Sequence, residues 1–337
     1  MTSLATTPTR DSPGAPVTGR SSRAPVEIPT VLLILADYAG WLVITFFYAR
    51  WPLAIVAPVT AVLITLHSSL QHEIVHGHPT RWERVNRLLA IVPLTLWLPF
   101  ERYRHTHKAH HINPRLTDPL DDPESYYWRP EDLARLNPVS RFLHEVQQTL
   151  AGRILLGSFW RIAMFLRDEL LSLLHNEKRE LIRNEQKVAH IWLEHLAWCV
   201  PVVLWLKLAC GMPLWIYFLA MVVPANGLQL IRAFAEHRWQ VAVPGRIALV
   251  EDSWILGPLF LFNNLHALHH EAPMIPWYGY NAYYRRERSR LIAQNGGLVY
   301  RSYFDVARRF LFRSHDVLAH PAGRVPPAAK RVAPSAA

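Results

Sequence analysis

The chain has 337 residues, enough for one large domain or two small ones. Hydrophobic residues make up 51% of it, yet its mean hydropathy is close to neutral, a mixture too apolar for an average soluble protein and too polar for a chain lying wholly in a membrane. A net charge of +10 suits an anionic membrane surface better than nucleic acid once hydrophobic spans are present, and two cysteines, Cys199 and Cys210 in one apolar stretch, exclude a disulfide framework and an iron–sulfur site.

Residues 1–28 are rich in Ser, Thr, Pro, Gly and Ala and carry Arg10, Arg20 and Arg23; they are expected to be a disordered basic tail without a cleavable signal. Apolar runs at 29–49 and 53–71, separated by Arg50-Trp51-Pro52, are long enough to span a bilayer as a helical hairpin. Residues 88–100 are apolar but short and hold Pro93 and Pro99, which predicts an interfacial or re-entrant segment. A polar stretch follows from 101 to 187. In it Arg153, Arg161 and Arg167 punctuate apolar residues, as in a helix lying on a membrane surface or an ordinary amphipathic helix. A second hairpin is expected at about 188–209 and 213–233, broken at Gly211 and Pro213. Residues 255–262 are apolar but too short to span, and a Pro/Ala tail is expected over 321–337.

Lys and Arg set the orientation. Segment 72–187 and the stretch after His270 are rich in them, while the hairpin tips offer little beyond Arg50 and Lys207. The basic side is cytoplasmic by the positive-inside rule, which puts both termini there. The fold expected is all-α: an integral membrane bundle of four transmembrane helices in two hairpins, within a domain spanning 29–320, and a helical cytoplasmic cap holding a histidine di-metal site.

The histidines carry the chemistry. His72 and His76 share one helix face at i and i+4; His107, His110 and His111 follow, then His266, His269 and His270 with the same spacing, and His237 stands just beyond the fourth span. Each cluster alone is commonplace. Three on one predicted membrane face point to metal, since packed neutral imidazoles are costly to bury and protonated ones repel. Imidazole suits Zn, Cu, Fe and Ni; nine donors exceed the needs of one zinc, whereas two ions with open positions fit the count, and iron both holds many nitrogens and activates O2.

The ordered boxes HxxxH, HxxHH and HxxHH, with hairpins between them, resemble the membrane fatty acid desaturase and hydroxylase superfamily over about residues 30–275. The resemblance implies that His72, His76, His107, His110, His111, His237, His266, His269 and His270 bind two iron ions. In such enzymes an asparagine shortly before the third box helps hold a metal-bound water. Asn263 resembles it, with Asn264 as the alternative. No catalytic residue beyond the metal ligands is implied.

The activity implied is O2-dependent oxidation of an unactivated C–H bond of a lipid, foremost fatty-acyl desaturation. The alternatives are a lipid, alkane, sterol or carotenoid hydroxylase or ketolase, and a non-enzymatic metal-binding membrane protein. Electrons would come from an external ferredoxin, cytochrome b5-like or rubredoxin-like donor. His78 and His105 are expected to anchor loops or orient ligands, and His67 to pack within its span. His144, His175, His190, His195, His315 and His320 are expected at solvent or the interface. Glu73, Glu236 and the acidic run Asp118, Asp121, Asp122 and Glu124 offer carboxylates that could orient imidazoles, although an acidic surface loop is the plainer reading of the run. Trp97, Phe100, Trp254 and Phe262 would pack or line an acyl tunnel.

Overall fold

The computed structural model describes residues 25–175 and 188–322, so most of each expected tail lies outside the described residues. Fifteen helical segments follow one another among them: α1 (Ile28–Phe46), α2 (Leu53–Val75), α3 (Glu83–Ala90), α4 (Phe100–His111), α5 (Pro130–Arg135), α6 (Pro138–Val146), α7 (Leu150–Leu155), α8 (Gly157–His175), α9 (Val188–Leu204), α10 (Leu214–Tyr217), α11 (Val223–Glu236), α12 (Leu256–Leu259), α13 (His266–Glu271), α14 (Tyr280–Gln294) and α15 (Tyr303–Phe310). A π-helical turn extends α9 to Ala209, and another joins α10 to α11.

Four helices are long and apolar enough to cross a membrane: Ile28–Phe46, Leu53–Val75, Val188–Ala209 and Leu214–Glu236. Their outward faces carry exposed Leu32, Leu35, Ile55, Val59, Leu196, Val200, Leu208 and Leu219, as lipid contact requires. Their inward faces share one core built on Trp41, Ile64, Leu206, Tyr217 and Met221. The second and fourth spans run past the expected ends at 71 and 233. They continue because their last turns are buried in protein and carry His72 and Glu236, so the backbone ladder persists beyond the apolar run.

Residues 91–99 leave helical geometry inside the bundle, with Leu94 and Trp97 buried. Irregular backbone at membrane depth is tolerated only when protein satisfies its polar groups. Here the spans supply the donors. Tyr217 Oη donates to Leu94 O at 2.6 Å, and His67 and His195 reach Val92 O at 3.0 Å and Leu96 O at 3.1 Å. Just upstream, Tyr38 donates to Leu89 O at 3.0 Å and Gln71 to Ala90 O at 2.7 Å. The segment is a non-helical insert packed among the spans, and His67 caps one of its carbonyls.

The remaining helices gather at the end of the bundle where α1 begins and α2 and α11 finish. Arginines brace them: Arg87 joins Glu101 at 2.7 Å and also Glu194, while Arg102 pairs with Glu169. The chain is not wholly helical. Leu249–Val250 (β1) pairs in parallel with Val299–Tyr300 (β2), and His237 bridges Ile247. The His237 bridge ties the segment before α12 to the end of α11, and Val250 N donating to Asn264 O at 2.9 Å and Ala267 N to Ala248 O at 3.1 Å place the third histidine cluster beside it.

Candidate metal centre

The end turn of α2 projects His72 and His76, and α4 projects His107, His110 and His111 from its last turns. His237 follows α11 in extended backbone, held there by Ala248 N donating to Glu236 O at 2.9 Å. α13 begins at His266. The turn ahead of it places Leu261 and Phe262 at φ of 51° and 59°, a left-handed conformation that non-glycine residues rarely adopt. Phe262 N holds that turn to Gly257 O at 2.8 Å, and Asn263 emerges from it toward the histidines.

All nine histidines converge, in two groups whose ligand atoms lie within 4.8 Å of one another: His72, His76, His107, His111 and His269 in the first, His110, His237, His266 and His270 in the second. The groups adjoin, since the His111 and His270 rings stack with centroids 4.2 Å apart. In the first group His107 Nε2 lies 3.2 Å from His76 Nε2 and 3.1 Å from His111 Nε2, which is 3.1 Å from His269 Nε2. In the second, His237 Nε2 lies 3.1 Å from His110 Nε2 and 2.9 Å from His266 Nε2, and His270 Nε2 is 3.1 Å from His266 Nε2.

The His237 contacts with His110 and His266 are not hydrogen bonds when all three rings are neutral, because their opposite ring nitrogens decide the tautomers. His107 Nδ1–H donates to Glu124 Oε1 at 2.9 Å, His110 Nδ1–H to Asp122 Oδ1 at 2.7 Å and His237 Nδ1–H to Arg246 O at 3.3 Å. His266 Nδ1–H meets Asn263 Oδ1 at 3.1 Å and Glu236 Oε1 at 3.3 Å. Each of these four rings, when neutral, thus turns a bare lone pair inward, and in the second group those of His237 and His266 face one another at 2.9 Å. Without a cation they repel. Two nitrogens bound at right angles on one ion at about 2.1 Å would sit about 3.0 Å apart, which is the spacing found. The donor set therefore fits metal, and five and four nitrogens match two ions better than one closed tetrahedral site.

Burial, reinforced by neighbouring imidazoles, holds His111 at about 2 and His237 at about 3. The same causes keep His76, His266, His269 and His270 well below the ordinary histidine range. These rings are neutral at pH 7, the form that ligates. His110 runs the other way: burial opposes its charge, but Glu124 and Asp122 outweigh burial and raise it to about 9.

Asn263 touches both groups. Its Oδ1 accepts from His266, and its Nδ2 lies 3.2 Å from Glu236 Oε1 and 3.4 Å from His72 Nε2. Asn264 turns away, donating to Val250 O at 2.6 Å. His78 ties Glu27 at 2.7 Å to Pro273 O at 3.2 Å and so anchors loops. Asp122 and Glu124 belong to the site, not to a solvated loop. His195, His315 and His320 are buried, against the expectation of exposure, because carbonyl and tyrosine partners or packing take them up; the His175 side chain lies outside the described residues. Trp254, expected to pack or line a tunnel, is 82% exposed. Sequence reasoning missed two groups here: the Arg246 carbonyl, which no side-chain motif announces, and Tyr280, whose hydroxyl lies 3.0 Å from His269 Nδ1.

The family described as fatty acid desaturase matches residues 49–304, which include all nine histidines and Asn263. No curated protein matches the chain.

Proposed function

From a chain that belongs to the fatty acid desaturase family, we propose an O2-dependent oxidation of an unactivated C–H bond of a lipid, foremost the desaturation of an acyl chain. The balance is –CH2–CH2– plus O2, two electrons and two protons giving –CH=CH– and two waters. His72, His76, His107, His111 and His269 would hold one iron ion, and His110, His237, His266 and His270 the other. Bound iron supplies the redox chemistry with O2 that a side chain cannot perform.

The chain's own residues do the rest. Glu124, Asp122, the Arg246 carbonyl and Asn263 each take an Nδ1–H and thereby aim an Nε2 lone pair inward. Buried His107, His110, His266 and His269 keep bulk water from the centre. Asn263, between the two groups, is proposed to position a water. The site lies at the end of the bundle whose loops are rich in Lys and Arg, so it faces the cytoplasm, together with both termini. Electrons would arrive from a separate ferredoxin, cytochrome b5-like or rubredoxin-like carrier, and the exposed arginines of that face suit an acidic partner.

The observation that carries this reading is the convergence of nine imidazoles into two adjoining clusters at the end of a bundle of four apolar helices. Its test is metal analysis of the purified protein, joined to mass spectrometry of lipids from cells with and without the gene. Two irons per chain and a lipid lighter by two hydrogens are expected, and both are lost in His110→Ala and His269→Ala while membrane insertion persists. A lipid heavier by one oxygen makes the enzyme a hydroxylase. Stoichiometric zinc with no O2 consumption ends the enzymatic reading.

A further inference from the structure

Outside the four apolar helices, large side chains crowd the surface at and around α15. Phe304 and Phe312 are each 79% exposed, and Leu311, Trp254 and Ile255 are exposed as well. Phe304 and Arg308, a turn apart, share one face of α15, and Leu311 and Phe312 follow where the helix ends. The other face, with Tyr303, Val306 and Phe310, packs on Phe234 and Phe260. Single exposed apolar residues are ordinary, but a row of aromatics is unfavourable in water unless something covers it. Arginines interleave with these aromatics. Residues 301–313 hold Arg301, Arg308, Arg309 and Arg313 against one acid, Asp305. Arg309 is tied to that acid at 2.7 Å, whereas Arg301 and Arg308 are largely exposed and make only long ion pairs of 3.7 Å.

The backbone gathers these residues along one line. Asp252 N donates to Arg301 O at 2.7 Å, which sets Trp254 and Ile255 near the start of α15, and Ala151 N donates to Leu311 O at 3.0 Å at its other end. The height of that line follows from the spans. The Phe310 ring meets that of Phe234 with centroids 6.3 Å apart, and Phe234 stands two residues before the fourth span ends, where its apolar run gives out. Beyond α12, Leu261 packs with Leu70 and Ile74 in the last turns of the second span. The row therefore runs level with the ends of two spans, which in a bilayer is the depth of the headgroups. Aromatic rings and arginines with apolar stems are the side chains that this layer accommodates together.

We propose that α15 and the 252–255 loop form an interfacial anchor on an anionic membrane surface, with Phe304, Phe312 and Trp254 entering the headgroup layer and Arg301, Arg308 and Arg313 reaching its phosphates. A second copy of the chain fits this face badly, because two-fold pairing would set the arginines against their own copies. At about 1.5 Å per residue α15 is also only about 12 Å long, short for a stable protein interface. Phe234 lies three residues before His237, so the anchor fixes the height of the second histidine group over the bilayer. The inference rests on the four spans and not on the oxidation proposed above.

The test is made on the full chain in vesicles. In a background lacking Cys199 and Cys210, Phe304→Cys, Phe312→Cys and Trp254→Cys each carry a nitrobenzoxadiazole label, and Ser289→Cys on exposed α14 is the aqueous reference. The vesicles are phosphatidylcholine with or without phosphatidylglycerol, and their acyl chains are plain or brominated. Labels at 304, 312 and 254 are expected to emit further to the blue than that at 289, to be quenched by brominated lipid and to be several-fold less open to iodide. Phosphatidylglycerol should strengthen all three effects. Arg301→Gln, Arg308→Gln and Arg313→Gln combined should remove that gain, each arginine near an anionic surface being worth about fivefold in the anchored population. Iodide access at 304 and 312 equal to that at 289 overturns the proposal. So does a blue shift that brominated lipid leaves untouched and that grows with the protein-to-lipid ratio, which would give the face to a second copy. Quenching by brominated lipid that ignores both phosphatidylglycerol and the arginine substitutions overturns it too. The three labelled positions are read separately, so one variant that fails to fold leaves two that decide. Neither iron nor turnover enters the readout, and the outcome stands whether or not the chain oxidises a lipid.

Discussion

Glu124 reaches the first histidine group through a single hydrogen bond to His107, and it is half-buried, so removing it leaves the packing nearly intact. Asp122 is a poorer probe. Beyond His110 it also accepts from Thr117 N at 2.7 Å and Glu124 N at 3.0 Å, so its loss would loosen the loop as well as the ligand. Glu124→Ala frees the His107 ring to turn and lowers its basicity, and iron affinity is expected to fall about 10- to 100-fold. Glu124→Gln keeps an acceptor for Nδ1–H and should recover most of that loss. Iron retained per chain against a graded chelator measures both, and an Ala variant that holds iron as well as the unaltered chain would remove Glu124 from the site. The nine rings were visible in the sequence because spacings of three and four put side chains on one helix face whatever the tertiary structure. Their partners were not. An acidic run such as 118–124 reads the same whether it faces water or imidazoles, and Tyr280 stands eleven residues from the ring it meets, with no pattern linking them.

Among the elements, the segment over residues 91–99 depends most on side chains from elsewhere. Its apolar composition and two prolines announced that it neither spans nor lies in water, but not which residues would satisfy its carbonyls. His67, His195 and Tyr217 come from three different spans, with Tyr38 and Gln71 meeting the carbonyls of Leu89 and Ala90 just upstream, and a lone polar residue in an apolar run carries no address for its partner. Tyr217 is the most committed of them. It is fully buried, donates to Leu94 O and accepts from Trp41 Nε1 at 3.0 Å, so Tyr217→Phe leaves a carbonyl and an indole N–H unpaired in an apolar setting. The cost is expected at about 1–3 kcal/mol, read as a lowered Tm in detergent. Tyr48→Phe is the control. Its hydroxyl donates to Gly211 O at 3.3 Å on the exposed hairpin tip, where water can replace it, and its Tm should stay within error. Equal Tm changes in the two variants would show that the segment does not need these bonds.

At the scale of the whole molecule, four spans and a basic excess were enough to read the architecture, since span length and charge are local properties that sum along the chain. The packing of α7 and α8 against α11 was not readable, because it rests on close approach at Gly227, where an added Cβ would lie 3.1 Å from Ser158 Oγ, and on Asn226 donating to Ser158 O at 2.8 Å. That contact lies along α11, and beside it Leu155 at the end of α7 and Phe159 at the start of α8 are exposed. An even number of spans commits the two hairpin tips to one side and everything that touches the histidines to the other. The loops around the site are Lys- and Arg-rich and the tips are not, so the positive-inside rule predicts that the site faces the cytoplasm. In a background lacking Cys199 and Cys210, Ser289→Cys on exposed α14 should react with a membrane-impermeant maleimide only after cells are opened, whereas Trp51→Cys at the first tip should react in intact cells. The reverse labelling would turn the centre to the outside, away from any cytoplasmic carrier of electrons, and the donor proposed for it would have to be sought on the other face of the membrane.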